Sequence, residues 1–454
     1  MNTLLSIVQT INAYLSDYIL IVLLIGTGVY FSVRTKFVQV RCFGEGMKKV
    51  FGNLSLHGGR QHGGISSFQA LTTAVAAQVG TGNIVGACGA ILTGGPGAIF
   101  WMWIIAFFGM ATIYAEAVLA QETRTVDKDG NATGGPVYYI RKAFPGGFGK
   151  FLAGFFSVAI ILALGFFGCM VQSNSIAESC TNAFGIPGWI IGIVVAAVAG
   201  LIFIGGVHRI ASVTEKIVPI MACLYLIGGL MVLLVRIRFL PATISMIFEY
   251  AFMPNAIIGG GIGYALKMAI SQGVKRGLFS NEAGMGSTPH AHAMAKVAKP
   301  HEQGETAMIG VFIDTFIVLN MTALVILSSG VLDDMIGNGI SGTPVAQAAF
   351  ANSFGSFGPM FVAACLLFFA FSTIIGWYFF AESNVRALFG KQAVKPFALI
   401  VVICVFIGSI LKVDLVWNLS DLFNGLMVLP NLIALLALNG IVAKAAGGAD
   451  ITED

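Results

Sequence analysis

Hydrophobic residues in this chain fall in long blocks rather than alternating with polar ones. A helix that crosses a bilayer needs about 20 predominantly apolar residues. Stretches of that order occur at roughly 14–33, 66–93, 97–120, 150–172, 188–206, 215–235, 256–281, 306–329, 357–381, 396–411 and 417–440. The pattern predicts an all-α polytopic membrane protein with eleven transmembrane helices, the 396–411 stretch being the shortest.

Polar positions between the blocks are sorted by charge. Arg34, Lys36, Arg41, Lys48, Lys49 and Arg60 fill one loop, and Arg124, Lys128, Arg141, Lys142 and Lys150 the next loop on that side. His208, Arg209, Lys216, Lys296, Lys299, Arg386, Lys391, Lys395 and Lys444 continue the same side. The intervening loops carry Glu178, Glu249, Asp333, Asp334 and Asp414, with only Arg236, Arg238 and Lys412 as basic residues. Basic loops stay in the cytoplasm, so the N-terminus is expected outside and the C-terminus inside, in a multi-pass protein of the cell membrane. Around Phe37, Val40, Phe43, Met47 and Phe51 the first basic loop is amphipathic. It reads either as an interfacial helix or as a solvated loop.

Composition agrees with this reading. Hydrophobic residues make up 57% of the 454 positions and charged residues only 10%, against roughly 25% in soluble domains. The net charge of +4 follows from the basic loops and gives no reason to expect nucleic acid. None of the seven cysteines stands in a CxxC pair or at metal-ligand spacing, and they read as small packing residues. His290, His292 and His301 share one basic loop without a metal-ligand pattern. No GxxxxGK[ST] loop is present, which argues against ATP drive, and no nucleophile-and-base set suggests an enzyme.

Two blocks are interrupted by glycine. Val79-Gly80-Thr81-Gly82-Asn83 lies within the 66–93 stretch, and Ser271 to Gly277 within 256–281. Glycine costs about 1 kcal/mol against alanine inside a helix. Unwound backbone is tolerated at membrane depth only where it lines a cavity or is buried in protein. With the first helix set aside, ten remain as two groups of five in opposite orientation, each opening on a glycine-interrupted helix. Interrupted helices at matching positions of two halves point to a transport site. Close helix packing is the competing explanation of the glycines.

The chemistry available at such a site is specific. Carbonyls of Ala76 and Val79 would offer oxygens to a hard cation such as sodium, which takes roughly five or six. Phe369, Ser372, Thr373 and Gly376 share one face of the 357–381 helix, so the two hydroxyls would add to that set. Alternatively, both hydroxyls bond carbonyls of their own helix. Amides near Gly80, Thr81 and Gly82 suit a carboxylate, while Gln78 or Gln272 suits an ammonium. Ala77, Gly273 and Gly277 complete the set of candidate substrate contacts. A zwitterion fits the absence of charge in the 76–83 stretch. Trp377, one turn after Thr373, would cap a cavity and limit side-chain size, or would serve packing or the interface. Glu116, Lys267, Lys275, Arg276, Glu282, Asp314 and Glu382 lie within apolar blocks or at their edges. Such residues are functional candidates. Lys275, Arg276 and Glu282 suggest an inner gate, Asp314 an ion or proton route, and Glu116 and Glu382 solvated helix ends.

Several blocks carry a family resemblance: Ser66-Ser67-Phe68-Gln69-Ala70-Leu71-Thr72 through Gln78-Val79-Gly80-Thr81-Gly82-Asn83-Ile84, Gly94 to Trp103, Arg276 to Gly284, and Phe371 to Trp377. They resemble the signatures of the alanine or glycine:cation symporter family, and the likeness runs through the whole chain. The resemblance implies a LeuT-type 5+5 inverted repeat with one extra N-terminal helix. On that plan residues 1–35 are the extra helix and 36–63 a cytoplasmic segment. Residues 64–238 and 239–443 are the two repeats, and 444–454 is a tail. It implies sodium-coupled uptake of alanine and glycine, with sodium as the co-transported ion. One sodium site would take Ala76, Val79, Phe369, Ser372 and Thr373. A second would take Asn83 with partners on the sixth and seventh core helices, where Ala269 stands in place of a hydroxyl and Thr315 or Asn320 is available. Trp377 would face the substrate side chain. A single chain holds both repeats, so a monomer would suffice for transport, with membrane lipid and the amino acid as partners. A proton-coupled carrier using Asp314 or Glu116 is the alternative, followed by an ion channel or a substrate-sensing receptor.

Overall fold

The computed structural model describes residues 2–52, 65–126, 132–252, 262–332, 342–411 and 414–447. The expected segments at 53–63 and 448–454, the start of the 256–281 stretch, and Asp333 and Asp334 lie outside the described residues. Among the described residues the protein is almost entirely helical, apart from an antiparallel pair, Thr125–Val126 with Ala132–Thr133. Eight helices are long and apolar enough to cross a membrane. They are Leu4–Arg34, Ala98–Thr123, Gly147–Phe184, Gly206–Val235, Pro300–Ser329, Phe357–Phe389, Lys391–Gly408 and Leu415–Ala437. The pair Ser67–Gln78 and Gly82–Gly94 makes a ninth span if counted as one, bent by 48°. Gly188–Ile204 is apolar but shorter, and Ile262–Asn281 falls within the expected 256–281 stretch. Unexpected helices occupy connections, among them Pro136–Ala143, Leu240–Phe252 and Thr343–Phe354.

Small residues let the spans approach closely. The Ala98–Thr123 helix is central: a side chain on Gly28 would meet Phe108 at 2.7 Å, and one on Gly277 would meet Ile105 at 2.6 Å. Gly273 abuts Trp101 at 2.5 Å in the same way. Ile262–Asn281 is therefore one continuous helix through Gln272, Gly273 and Gly277. The second interruption expected there is absent, because both glycines serve packing against Ala98–Thr123.

The second discontinuity follows Asn281 instead. Glu282 (φ 58°), Gly284 (φ 93°) and Gly286 (φ 78°) turn the chain through left-handed conformations that favour glycine. Residues 281–295 are buried throughout, where the sequence suggested an exposed loop.

The amphipathic segment is helical, over Val38–Arg41 and Phe43–Phe51. It packs inward: Phe43 meets Phe312 edge-on at 4.9 Å, and Gly46 lies where a side chain would be 3.0 Å from the Glu305 carbonyl. Among the described residues four π-helical turns occur, at Leu15–Leu20, Gly82–Gly86, Ile161–Gly168 and Phe312–Leu319. Such turns often mark functional sites, and the last three of these converge on the region described next.

Candidate functional site

The first break is tightly specified. Ser66 and Gln69 form a capping box that starts Ser67–Gln78. Val79 then turns to an extended conformation (φ −80°, ψ 90°), and the helix resumes at Gly82. Its exposed backbone groups meet side chains from three other segments.

On one side stands the Phe357–Phe389 helix. Thr373 Oγ1 lies 3.0 Å from the Ala76 carbonyl, 3.4 Å from that of Val79 and 3.0 Å from that of Phe369. Ser372 Oγ lies 3.3 Å from the Ala76 carbonyl and 2.8 Å from that of Phe369. Both hydroxyls reach carbonyls of their own helix and of the broken helix together. Oxygens of Ala76, Val79, Phe369, Ser372 and Thr373 thus gather between the two helices, with Met221 Sδ 3.3 Å from Ser372 Oγ. All five residues are buried. A hard cation prefers oxygen ligands of this kind.

On the other side the amides are already engaged. Asn83 Oδ1 accepts from Gly80 N at 2.9 Å, and Gln172 Oε1 accepts from Thr81 N at 3.1 Å. The expectation of free amides at Gly80 and Thr81 is thus corrected: side chains complete them. Thr81 Oγ1 and Gln172 Nε2, both buried, have no hydrogen-bond partner. Buried polar groups are normally paired, and these two atoms are left without a protein partner. Gln172 was not apparent from sequence, since a lone glutamine in an apolar block carries no spacing signal. Aromatic rings stand in the same region. Phe279 meets Trp377 edge-on at 5.7 Å, and Trp377 fills the space beside Gly168. Trp377 Nε1 donates to Glu282 Oε1 at 2.5 Å.

Gln272, Gly273 and Gly277 do not form an unwound half-site. Gln272 lies beside Gly94 instead. Ala77 packs on Gly376, where a side chain would meet it at 2.9 Å. Gln78 donates to the Asn281 carbonyl at 2.7 Å, tying the first break to the true second one.

Asn83 belongs to a second polar cluster. Its Nδ2 donates to Asp314 Oδ1 at 2.6 Å, Ser280 Oγ reaches both Asp314 oxygens at 3.1 and 2.9 Å, and Thr315 Oγ1 reaches Oδ2 at 2.9 Å. The side-chain partner of Asn83 is thus Asp314, and Ser280 enters the cluster through Asp314. Thr315 enters through Asp314.

Other charged residues fall into place. Lys275 and Arg276 pair with Asp421 at 2.7 and 3.5 Å, away from Glu282, so the three do not form one gate. Glu116 is not a solvated helix end. It is fully buried and accepts from the amides of Gly284 and Gly286 and from Asn431, thereby holding the second break. Glu382 is buried and pairs with Arg386. In the buried loop, His290 Nδ1 lies 2.7 Å from the Ser287 carbonyl, and burial lowers its pKa to about 4.

The chain has relatives among known proteins. The family model described as the sodium:alanine symporter family matches residues 1–448. The chain is 40% identical over 441 residues to the sodium/alanine symporter AgcS of Methanococcus maripaludis, covering 97% of this chain and 96% of that one. It is 40% identical over 440 residues to the probable sodium/glutamine symporter GlnT of Bacillus subtilis, covering 97% and 89%. Among solved structures, MhsT in complex with L-phenylalanine superposes with a TM-score of 0.61 at 16% identity, over 87% of this chain and 94% of that one. The fold is accordingly LeuT-like, the protein is a multi-pass membrane transporter rather than an enzyme, and the chain belongs to the sodium:alanine symporter family.

Proposed function

We propose that this protein carries alanine and glycine into the cell, coupled to sodium, by alternating access. The observation that carries the reading is the approach of the Ser372 and Thr373 hydroxyls to the carbonyls of Ala76, Val79 and Phe369. A sodium ion held there would pin the Phe357–Phe389 helix to the broken helix and favour the substrate-competent arrangement. The Asn83–Ser280–Asp314 cluster is the candidate second cation site. The substrate carboxylate would take the unpartnered Thr81 hydroxyl and Gln172 amide, and backbone carbonyls of the break would take its ammonium. Phe279 and Trp377 would close over the side chain and set its size. This matters because relatives of equal identity are named for alanine and for glutamine.

The topology proposed with it has eleven spans. The first stands outside two inverted five-helix repeats, 64–238 and 239–443, with the N-terminus outside and the C-terminus in the cytoplasm. Lys275, Arg276 and Asp421 would then form an outer rather than an inner gate.

The test is uptake of labelled alanine by proteoliposomes under an inward sodium gradient, a proton gradient, or neither. Saturable uptake that requires sodium supports the reading. Uptake that follows the proton gradient and ignores sodium would replace it with a proton-coupled carrier built on Asp314.

A further inference from the structure

We propose that Cys42, His301 and Glu305 form a binding site for one divalent transition-metal ion of the zinc class, apart from the transport site. Cys42 Sγ, a ring nitrogen of His301 and a carboxylate oxygen of Glu305 lie within 4.8 Å of one another. Tetrahedral zinc, with ligands at about 2.0–2.3 Å, sets its ligand atoms about 3.3–3.8 Å apart. Rotation of the side chains by about an ångström closes the set.

The surroundings are built as a metal site needs. His301 Nδ1 is held by the Tyr114 hydroxyl at 2.6 Å, which directs Nε2 into the cluster. Such a partner on the outer nitrogen fixes ring orientation and ligand basicity. Glu305 Oε2 is taken by Lys49 at 2.5 Å, leaving Oε1 for a ligand. Oε1 is buried without a well-aligned hydrogen-bond donor, and its near neighbour is His301 Nε2 at 3.1 Å. A metal between the two would satisfy both atoms. The thiol and imidazole select a borderline-soft ion over sodium, magnesium or calcium. His301 and Lys49 are partly exposed, at 21% and 35%, so solvent supplies both an entry path and a fourth ligand.

Binding converts the Cys42 thiol to a metal thiolate and releases its proton to solvent. The bond would staple the turn before Phe43–Phe51 to the first turns of Pro300–Ser329, where Gly46 already allows close contact. That same helix carries Asp314 to the candidate transport site. Sequence spacing gave no hint, since the cysteine is far along the chain from the other two ligands.

The experiment is titration of the purified full-length protein, free of any polyhistidine tag, with Co²⁺ alone. The expected result is one Co²⁺ per chain, with a thiolate-to-cobalt charge-transfer band that Zn²⁺ abolishes on displacement. About one proton should be released per ion. Cys42→Ser loses the band, and Tyr114→Phe keeps it while weakening affinity about 10-fold or more. His301→Gln serves as a second ligand variant should Cys42→Ser fail to fold. A wild-type protein without the band, or affinity unchanged in both ligand variants, overturns the proposal. Neither outcome bears on alanine transport.

Discussion

Thr373 Oγ1 lies 3.0 Å from the carbonyl oxygen of Ala76, joining residues 297 positions apart in sequence. The contact exists because the Ser67–Gln78 helix ends where it does and frees that carbonyl. It also leaves no room beside it. A side chain on Gly80 would stand 2.3 Å from Thr373 Oγ1 and 3.2 Å from Gln172 Oε1.

Gly80→Ala is therefore expected to abolish alanine uptake by forcing the Phe357–Phe389 helix off the break. Gly89→Ala, later in the same bent pair, meets nothing within 4 Å. It should leave uptake intact and add about 1 kcal/mol of helix stability. Uptake assays of the two variants at matched expression decide this; equal activity would mean that the break tolerates displacement.

Trp377 forms the wall of the proposed pocket and is anchored by Glu282. Trp377→Ala should admit valine and leucine as competitors of alanine uptake. Truncating a buried aromatic typically costs 3–5 kcal/mol, so a lowered melting temperature should accompany the change. Competition by valine and leucine at wild-type levels would remove Trp377 from the pocket.

Asp314 gathers side-chain donors from Asn83, Ser280 and Thr315. Asp314→Asn sets an amide donor against these donors. Hydrogen bonds to charged groups contribute about 1.5–3 kcal/mol each. Loss of one such bond should slow sodium-driven uptake by about 10-fold or more at subsaturating sodium. Initial rates across a sodium series measure it, and an unchanged curve would exclude Asp314 from ion coupling.

His290 makes stability depend on pH. Its ring is buried between Phe156 and Phe380, with Nε2 2.9 Å from Asn384 Nδ2. Burial lowers its pKa from 6.5 to about 4. Between those values the unfolded chain binds the extra proton, so the folded state is favoured fully above about pH 6.5. That advantage shrinks as the pH falls toward 4, by an amount on the order of 3 kcal/mol. Thermal unfolding across this window should show the loss in wild type and a shallower slope in His290→Gln. Parallel slopes would assign the acid sensitivity elsewhere.

Much of this was legible in the sequence, for physical reasons. Apolar blocks mark spans because lipid leaves no alternative for the backbone, and Gly80 and Gly82 marked the first break. The Ser372–Thr373 face was legible from its helical spacing. The second break was not. Gly273 and Gly277 are four apart and look like an interruption, yet they are a contact stripe against Ala98–Thr123. The real turn is at Glu282, Gly284 and Gly286, stabilised by Glu116 from a distant helix. Gln172, Ser280 and the burial of His290 depend on contacts between segments far apart in sequence, which local pattern does not encode.

The central claim is that sodium sits between Ala76, Val79, Phe369, Ser372 and Thr373 and drives uptake. Its most direct test is the sodium concentration giving half-maximal alanine uptake in wild type, in Ser372→Ala/Thr373→Ala and in Thr373→Ser. The account predicts a rise of about 10-fold or more in the double variant, with near wild-type values restored when the hydroxyl is kept in Thr373→Ser. An identical sodium dependence in all three proteins would contradict it.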